Sequence, residues 1–157
     1  MYEFIEETVQ KNMTNHPRTV TPETTIGDLL RLFDADGAEA FPVVTDNRLM
    51  GIVSKADALK AFGLLPASVV PHYDDMLGTT VGEVMTRNVM TVDAATPLQR
   101  VLHLMVTHHF KAMPVVDADN HLKGIISRDD LIAALIRCTG HKSLPPDQSN
   151  VGYHAIA

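Results

Sequence analysis

The chain has 157 residues, 45% of them hydrophobic and 20% charged, with a formal net charge of −6. This make-up belongs to a globular protein with a real core, and it excludes a disordered chain, a collagen and a coiled coil. No apolar run approaches the ~18 residues of a membrane helix, and the acidic balance leaves no bulk electrostatic footprint for nucleic acid. The chain opens on Met1-Tyr2-Glu3-Phe4-Ile5-Glu6-Glu7, acidic where a secretory signal would be basic.

From there the sequence says the same thing twice. Thr8-Val9-Gln10-Lys11-Asn12-Met13-Thr14 returns 72 positions later as Thr80-Val81-Gly82-Glu83-Val84-Met85-Thr86. A short extended stretch, Arg18 to Val20, leads to a helix over about Thr25 to Ala35, with Ile26, Leu29, Leu30 and Phe33 on one face. Two short strands follow, Phe41 to Thr45 and Leu49 to Val53, turning at Asp46-Asn47-Arg48. A closing helix is predicted from Lys55 to Phe62.

The segment 64–79, holding Pro66 and Pro71, reads as a linker between a first repeat at 5–63 and a second at 80–138. The second repeat gives an extended stretch at Met90 to Val92. Its first helix runs from about Pro97 to His109, with Leu98, Val101, Leu102 and Met105 on the matching face. Thr96, Pro97 and Gln99 predict a capping box with proline in the first helical position. Strands at Met113 to Asp117 and His121 to Ile126 turn at Asp119-Asn120, and Arg128 to Arg137 closes the unit. Phe41-Pro42-Val43-Val44 matches Met113-Pro114-Val115-Val116, and Gly51-Ile52-Val53-Ser54-Lys55-Ala56-Asp57 matches Gly124-Ile125-Ile126-Ser127-Arg128-Asp129-Asp130. Each unit is β-α-β-β-α, too small to bury its own sheet face. Two copies related by a pseudo-twofold axis, packed sheet to sheet, are expected to cover one another. The tail 139–157, with Pro145-Pro146 and a polar run after it, reads as an extension without a fold of its own. Cys138 is the one cysteine, which excludes an intramolecular disulfide framework and suits a reducing cytoplasm; it is expected in a core or interface.

Met-Thr, an amphipathic helix, hydrophobic-Pro-Val-Val and Gly-Ile-hydrophobic-Ser-x-x-Asp, in that order and twice over, resemble the CBS domain. Two in tandem resemble a stand-alone CBS pair, or Bateman module, across residues 5–138. The resemblance implies an α+β fold and a regulatory, non-enzymatic module. Its ligand would be an adenosine compound (AMP, ADP, ATP or S-adenosylmethionine) bound in the cleft between repeats, with no cofactor beyond it. It implies a homodimer that signals by conformational change to a protein effector, while the acidic balance and the lack of a long apolar run leave no nucleic acid and no membrane among the expected partners. The alternative is a structural or dimerisation module whose ligand sites are vestigial.

Ser54-Lys55-Ala56-Asp57 and Ser127-Arg128-Asp129-Asp130 fall where a strand passes into a helix. Free backbone N–H groups and the helix dipole there suit a phosphate, and a serine hydroxyl can add a donor. By the resemblance, Asp57 and Asp130 would hold ribose hydroxyls. The same spacing is also a plain capping pattern, and both readings can hold together. Lys111, three residues before Pro114, falls on Glu39, three before Pro42, so the second site is expected to favour phosphates and the first a less charged ligand. Lys55 and Arg128 can add charge to either. His108 and His109 would flank the second site, with Asp36 and Gly37 in the matching places of the first. Candidates for an apolar adenine slot are Val89, Met113 and Ile125 in the second repeat and Pro17, Phe41 and Ile52 in the first. Met13-Thr14 and Met85-Thr86 would mark the turn into each repeat, with Thr86 near a ligand.

No catalytic constellation emerges. His103, His108 and His109 lack the spacing that aligns ligands on one helix face, so no metal site is expected. No Gly-x-Ser-x-Gly, P-loop or dinucleotide fingerprint is present.

Overall fold

The computed structural model describes residues 2–63 and 72–140. Most of the linker expected over 64–79 and nearly all of the tail expected over 139–157 therefore lie outside the described residues. In chain order the elements are α1 (Tyr2–Ile5), α2 (Val9–Asn12), β1 (Thr14–Asn15), α3 (Ile26–Asp36), β2 (Ala40–Thr45), β3 (Arg48–Ser54) and α4 (Lys55–Gly63). Then come α5 (Tyr73–Gly78), α6 (Val81–Val84), α7 (Leu98–His108), β4 (Ala112–Val116), β5 (Leu122–Ser127) and α8 (Arg128–Thr139). The fold is α+β, with two small antiparallel sheets covered by helices.

The predicted helices and hairpin strands form within a residue or two of their expected ends, whereas the extended stretches at Arg18 to Val20 and Met90 to Val92 make only single bridges, at Val20 and Val92. Helix α3 buries Ile26, Leu29 and Phe33, and α7 buries Leu98, Val101 and Met105, the i, i+3, i+7 stripe read from the sequence. Thr25 caps α3 by accepting from the Asp28 amide. The capping box expected at Thr96 does not form. Pro97 itself stands at the N-cap of α7, while the Thr96 hydroxyl turns back to the Asp93 carboxylate and accepts from the Asp93 amide. Both helices end on a left-handed residue, Gly37 (φ 63°) and its counterpart His109 (φ 58°). A histidine there accepts a conformation that glycine takes at no steric cost.

The strand contacts of the two repeats follow a pseudo-twofold axis. Val20 and Val92 each form a parallel bridge to the following hairpin, at Val43 and Val115. The Val20 and Val92 amides donate to Pro42 and Pro114, both at 3.1 Å. Near the axis the hairpin turns clasp each other: Leu49 N donates to Asn120 O (3.0 Å) and Leu122 N to Asn47 O (2.9 Å). Asn47 and Asn120 hold positive φ, 61° and 64°, as asparagine does readily.

What the repeat pattern did not disclose is an exchange. The segment ahead of each repeat packs on the other repeat. Strand β1 joins the second hairpin, pairing Thr14 with Ile125, so one sheet runs β1-β5-β4. Its counterpart Thr86 pairs with Ile52 of the first hairpin through two backbone bonds of 2.9 Å. The cores are correspondingly mixed. Phe4 and Val9 fill the core built by α7, β4, β5 and α8, with Cys138 packed against its edge. Val81, Val84 and Met85 complete the core of α3, β2, β3 and α4. This explains the glycine of each Gly-Ile motif. A Cβ on Gly124 would sit 2.7 Å from both Met13 Sδ and the Thr14 carbonyl oxygen, and one on Gly51 would run into the Thr86 carbonyl oxygen. The crossing strand needs the space.

Among the described residues no helix is long and apolar enough to cross a membrane.

Candidate functional site

Two clefts open between the repeats. One, of about 630 Å³, is lined by Thr14, Pro17, Arg18 and Phe41 from the first half of the chain and by Ile125, Ser127, Arg128 and Asp130 from the second. The other, of about 340 Å³, joins Ile52, Ser54, Lys55 and Asp57 to Thr86, Val89, Met90 and His109. Both fall in the range of small-molecule sites. Each takes its Ser-x-x-Asp from one repeat and its leading segment from the other, as the strand exchange requires.

This redistributes the sequence-derived candidates. Pro17 and Phe41 line the Asp130 cleft together with Ile125, whereas Val89 lines the Asp57 cleft together with Ile52. The grouping by repeat is thus crossed over. Met113 is fully buried in the second core and lines neither cleft; its counterpart Phe41 is also buried, yet forms cleft wall. His109 falls at the Asp57 cleft, and Asp36 and Gly37 at the Asp130 cleft, the reverse of the expected assignment. Thr86 lines one cleft, and its counterpart Thr14, whose place in the sequence marks only a turn, lines the other.

Each Ser-x-x-Asp forms a full capping box at the mouth of a helix. Ser127 N and Oγ both donate to Asp130 Oδ2 at 2.8 Å, and Asp130 N donates to Ser127 Oγ at 3.2 Å. The Ser54–Asp57 box repeats this at 2.9, 3.0 and 3.1 Å. The hydroxyl of each serine donates to its own aspartate. The capping reading and the cleft-lining reading hold simultaneously.

The boxes differ at the second carboxylate oxygen. Asp57 is 6% exposed, and Lys60 donates to its Oδ1 at 2.5 Å. Burial pushes the Asp57 pKa up, but hydrogen bonds from Lys60 and from the Ser54 amide and hydroxyl outweigh it and hold the carboxyl below its ordinary value of 3.8. In the second repeat the place of Lys60 is taken by Ala133, and among the described residues Asp130 Oδ1 has no hydrogen-bond partner. Asp130 is half-buried and lines its cleft.

Glu39 and Lys111 do not distinguish the clefts as expected. Both line both clefts, together with Ala40 and Ala112, so the two spaces adjoin. Glu39 lies between Lys55 (3.4 Å) and Lys111 (3.5 Å). The Lys55 hydrogen bond, then the Lys55 and Lys111 charges, lower its pKa. Arg18 pairs with Asp36 at 2.8 Å, and Arg128 Nε donates to the Phe110 carbonyl at 2.7 Å.

Among the described residues the one trio of ligating side chains is Asp117, Asp119 and His121 in the β4–β5 turn. There Asp117 Oδ1 accepts from the Asp119 and His121 amides, as a turn-forming aspartate does.

The CBS domain family model matches residues 6–64 and 81–137. CBSX2 of Arabidopsis thaliana, in a crystal structure in complex with AMP, superposes with a TM-score of 0.73 at 31% identity, covering 85% of this chain and 98% of that one. AcuB from Vibrio cholerae gives 0.74 at 30% identity, covering 85% and 93%. MJ0188 of Methanocaldococcus jannaschii is 34% identical over 137 residues, 87% of this chain and 47% of its own. The chain thus spans about half the length of that relative, and 46% of MJ1225 from the same organism. Two matched segments over an exchanged pair of β-α-β-β-α units establish that this chain belongs to the CBS domain family and carries its domains as a tandem pair.

Proposed function

We propose that the protein is a non-enzymatic regulatory module that binds an adenosine-containing ligand between its two CBS domains. The observation that carries this reading is the pair of clefts, each with an aspartate-capped helix mouth (Asp57 or Asp130), a crossing threonine (Thr86 or Thr14) and an apolar wall. The likeness to CBSX2, whose structure is in complex with AMP, supports adenosine as the recognised moiety. Ile125, Pro17 and Phe41 in one cleft, and Ile52 and Val89 in the other, offer the flat apolar surface a purine needs. Asp130 Oδ1 is the acceptor for a ribose hydroxyl. Asp57 is the weaker counterpart, because Lys60 already occupies its free oxygen.

A ligand touching both domains shifts their arrangement only by its difference in affinity for the two arrangements, and an effector protein would read that shift. Leu59 on α4 and its pseudo-twofold counterpart Ile132 on α8, with Ile136 one turn on, are exposed apolar residues. A second copy of this chain, carrying the same two-fold-related pair, would cover them as a homodimer, and its mass in solution tests that. A single cysteine, with no intramolecular disulfide to form, suits a reducing cytoplasm.

Titration calorimetry and melting shifts with ATP, ADP, AMP and S-adenosylmethionine test the reading. Heat and a raised melting temperature with at least one are expected. Silence with all four would leave the alternative, a structural module with vestigial clefts, which the fully engaged Asp57 carboxylate favours at that one site.

A further inference from the structure

The charges around the clefts say which adenosine compounds fit, granted the reading above. Three cations (Arg18, Lys111 and Arg128) line the Asp130 cleft against four carboxylates (Asp36, Glu39, Asp129 and Asp130). Two cations (Lys55 and Lys111) line the Asp57 cleft against two carboxylates (Glu39 and Asp57). Neither is net positive, and every one of these cations already has a protein acceptor: Asp36 for Arg18, Glu39 for Lys55 and Lys111, and the Phe110 carbonyl for Arg128. The Ser54 and Ser127 hydroxyl protons point to their own aspartates. Glu39 stands where the two clefts adjoin, holding the two lysines a phosphate would seek.

We infer that Glu39 is a built-in competitor for phosphate in both clefts, and that it tunes the module toward adenosine compounds whose 5′ substituent is uncharged or cationic. A 5′-phosphate must meet the Glu39 carboxylate at close range and draw Lys55 or Lys111 away from it. A nucleoside, a thioether or a sulfonium meets no such opposition. Glu39 is half-exposed, so its replacement leaves both cores untouched.

The test is calorimetry of the full chain with adenosine, S-adenosylmethionine, AMP and ATP at one low ionic strength, on the wild type and on Glu39→Gln. In the wild type, adenosine or S-adenosylmethionine should bind at least about tenfold more tightly than ATP, with AMP between. Glu39→Gln should raise ATP affinity relative to adenosine by about fivefold, by freeing two lysines and removing one repulsive charge. Lys111→Gln, in which phosphate loses a cation, should lower the ATP-to-adenosine ratio instead. ATP binding more tightly than adenosine to the wild type, or the same ratio in Glu39→Gln, would overturn the role of Glu39 while leaving the adenosine reading intact. No binding of any of the four compounds would overturn the adenosine reading and this inference with it.

Discussion

Gly51 is where the exchanged strand can be challenged with a single methyl group. Its backbone lies under the carbonyl of Thr86, so a β-carbon added there collides with the oxygen and also comes within 3.2 Å of the carbonyl carbon. The obstacle is main chain, which cannot swing aside as a side chain would. Relief requires the Thr86 segment to lift, and it is held to Ile52 by two hydrogen bonds of 2.9 Å. Overpacking costs about 1–3 kcal/mol, and weakening one or two backbone bonds adds about 0.5–1.5 kcal/mol each. A loss of about 2–4 kcal/mol follows, which for a domain of this size lowers the melting temperature by roughly 5–15 °C. Gly63→Ala is the matched control, because among the described residues nothing lies within 4 Å of a β-carbon there and alanine favours a helix. It should melt at or slightly above the wild type. Thermal and urea denaturation of the three proteins decide the matter. Gly51→Ala melting within about a degree of Gly63→Ala would refute the claim that this glycine exists to let the other domain's strand pass.

Three further outcomes are expected. Because the folded pKa of Asp57 is depressed, its carboxylate stabilises the fold above its ordinary pKa of 3.8, and that contribution fades as pH falls through 3.8 and below. Asp57→Asn should therefore cost about 1–2 kcal/mol at neutral pH and progressively less in acid, as urea denaturation across a pH series would show. Lys60→Ala should release Asp57 Oδ1 and make the Asp57 cleft resemble its partner, strengthening adenosine binding there in calorimetry; unchanged or weaker binding counts against it. Asp130→Ala should weaken adenosine binding far more than Asp57→Ala, and equal losses would remove the distinction between the clefts.

Much of this architecture is legible in the sequence because it is written locally. The stripe of Ile26, Leu29 and Phe33, the Pro-Val-Val strands and the Ser-x-x-Asp boxes each follow from spacing within a dozen residues. The exchange is not, because a duplicated sequence looks the same whichever copy each leader packs on. Val9 and Val81 read as apolar in either arrangement, and only their placement in the opposite cores separates them. For the same reason the sequence order sets Val89 beside Asp130 and Pro17 beside Asp57, whereas in the fold Val89 lines the Asp57 cleft and Pro17 the Asp130 cleft. The Thr96 box failed for a local reason, since Asp93 offered the threonine a nearer partner. Helices α1, α2, α5 and α6 are four to six residues long, too short for a helical period to register. Lys60 was missed as the difference between the aspartates because its effect runs through i, i+3 geometry on an otherwise ordinary helix face.

The crossing of the leaders makes each half depend on the other for its interior. A single half made as a separate polypeptide, leader and hairpin together, would have a hollow in its interior where the other half's Val9 or Val81 belongs. The leader of a second copy would fill that hollow, so a separate half would be expected to pair reciprocally with its like. Joined in one chain, the two halves meet whatever the protein concentration, and each carries its own version of the shared motif, one aspartate bound by a lysine and the other with an open oxygen.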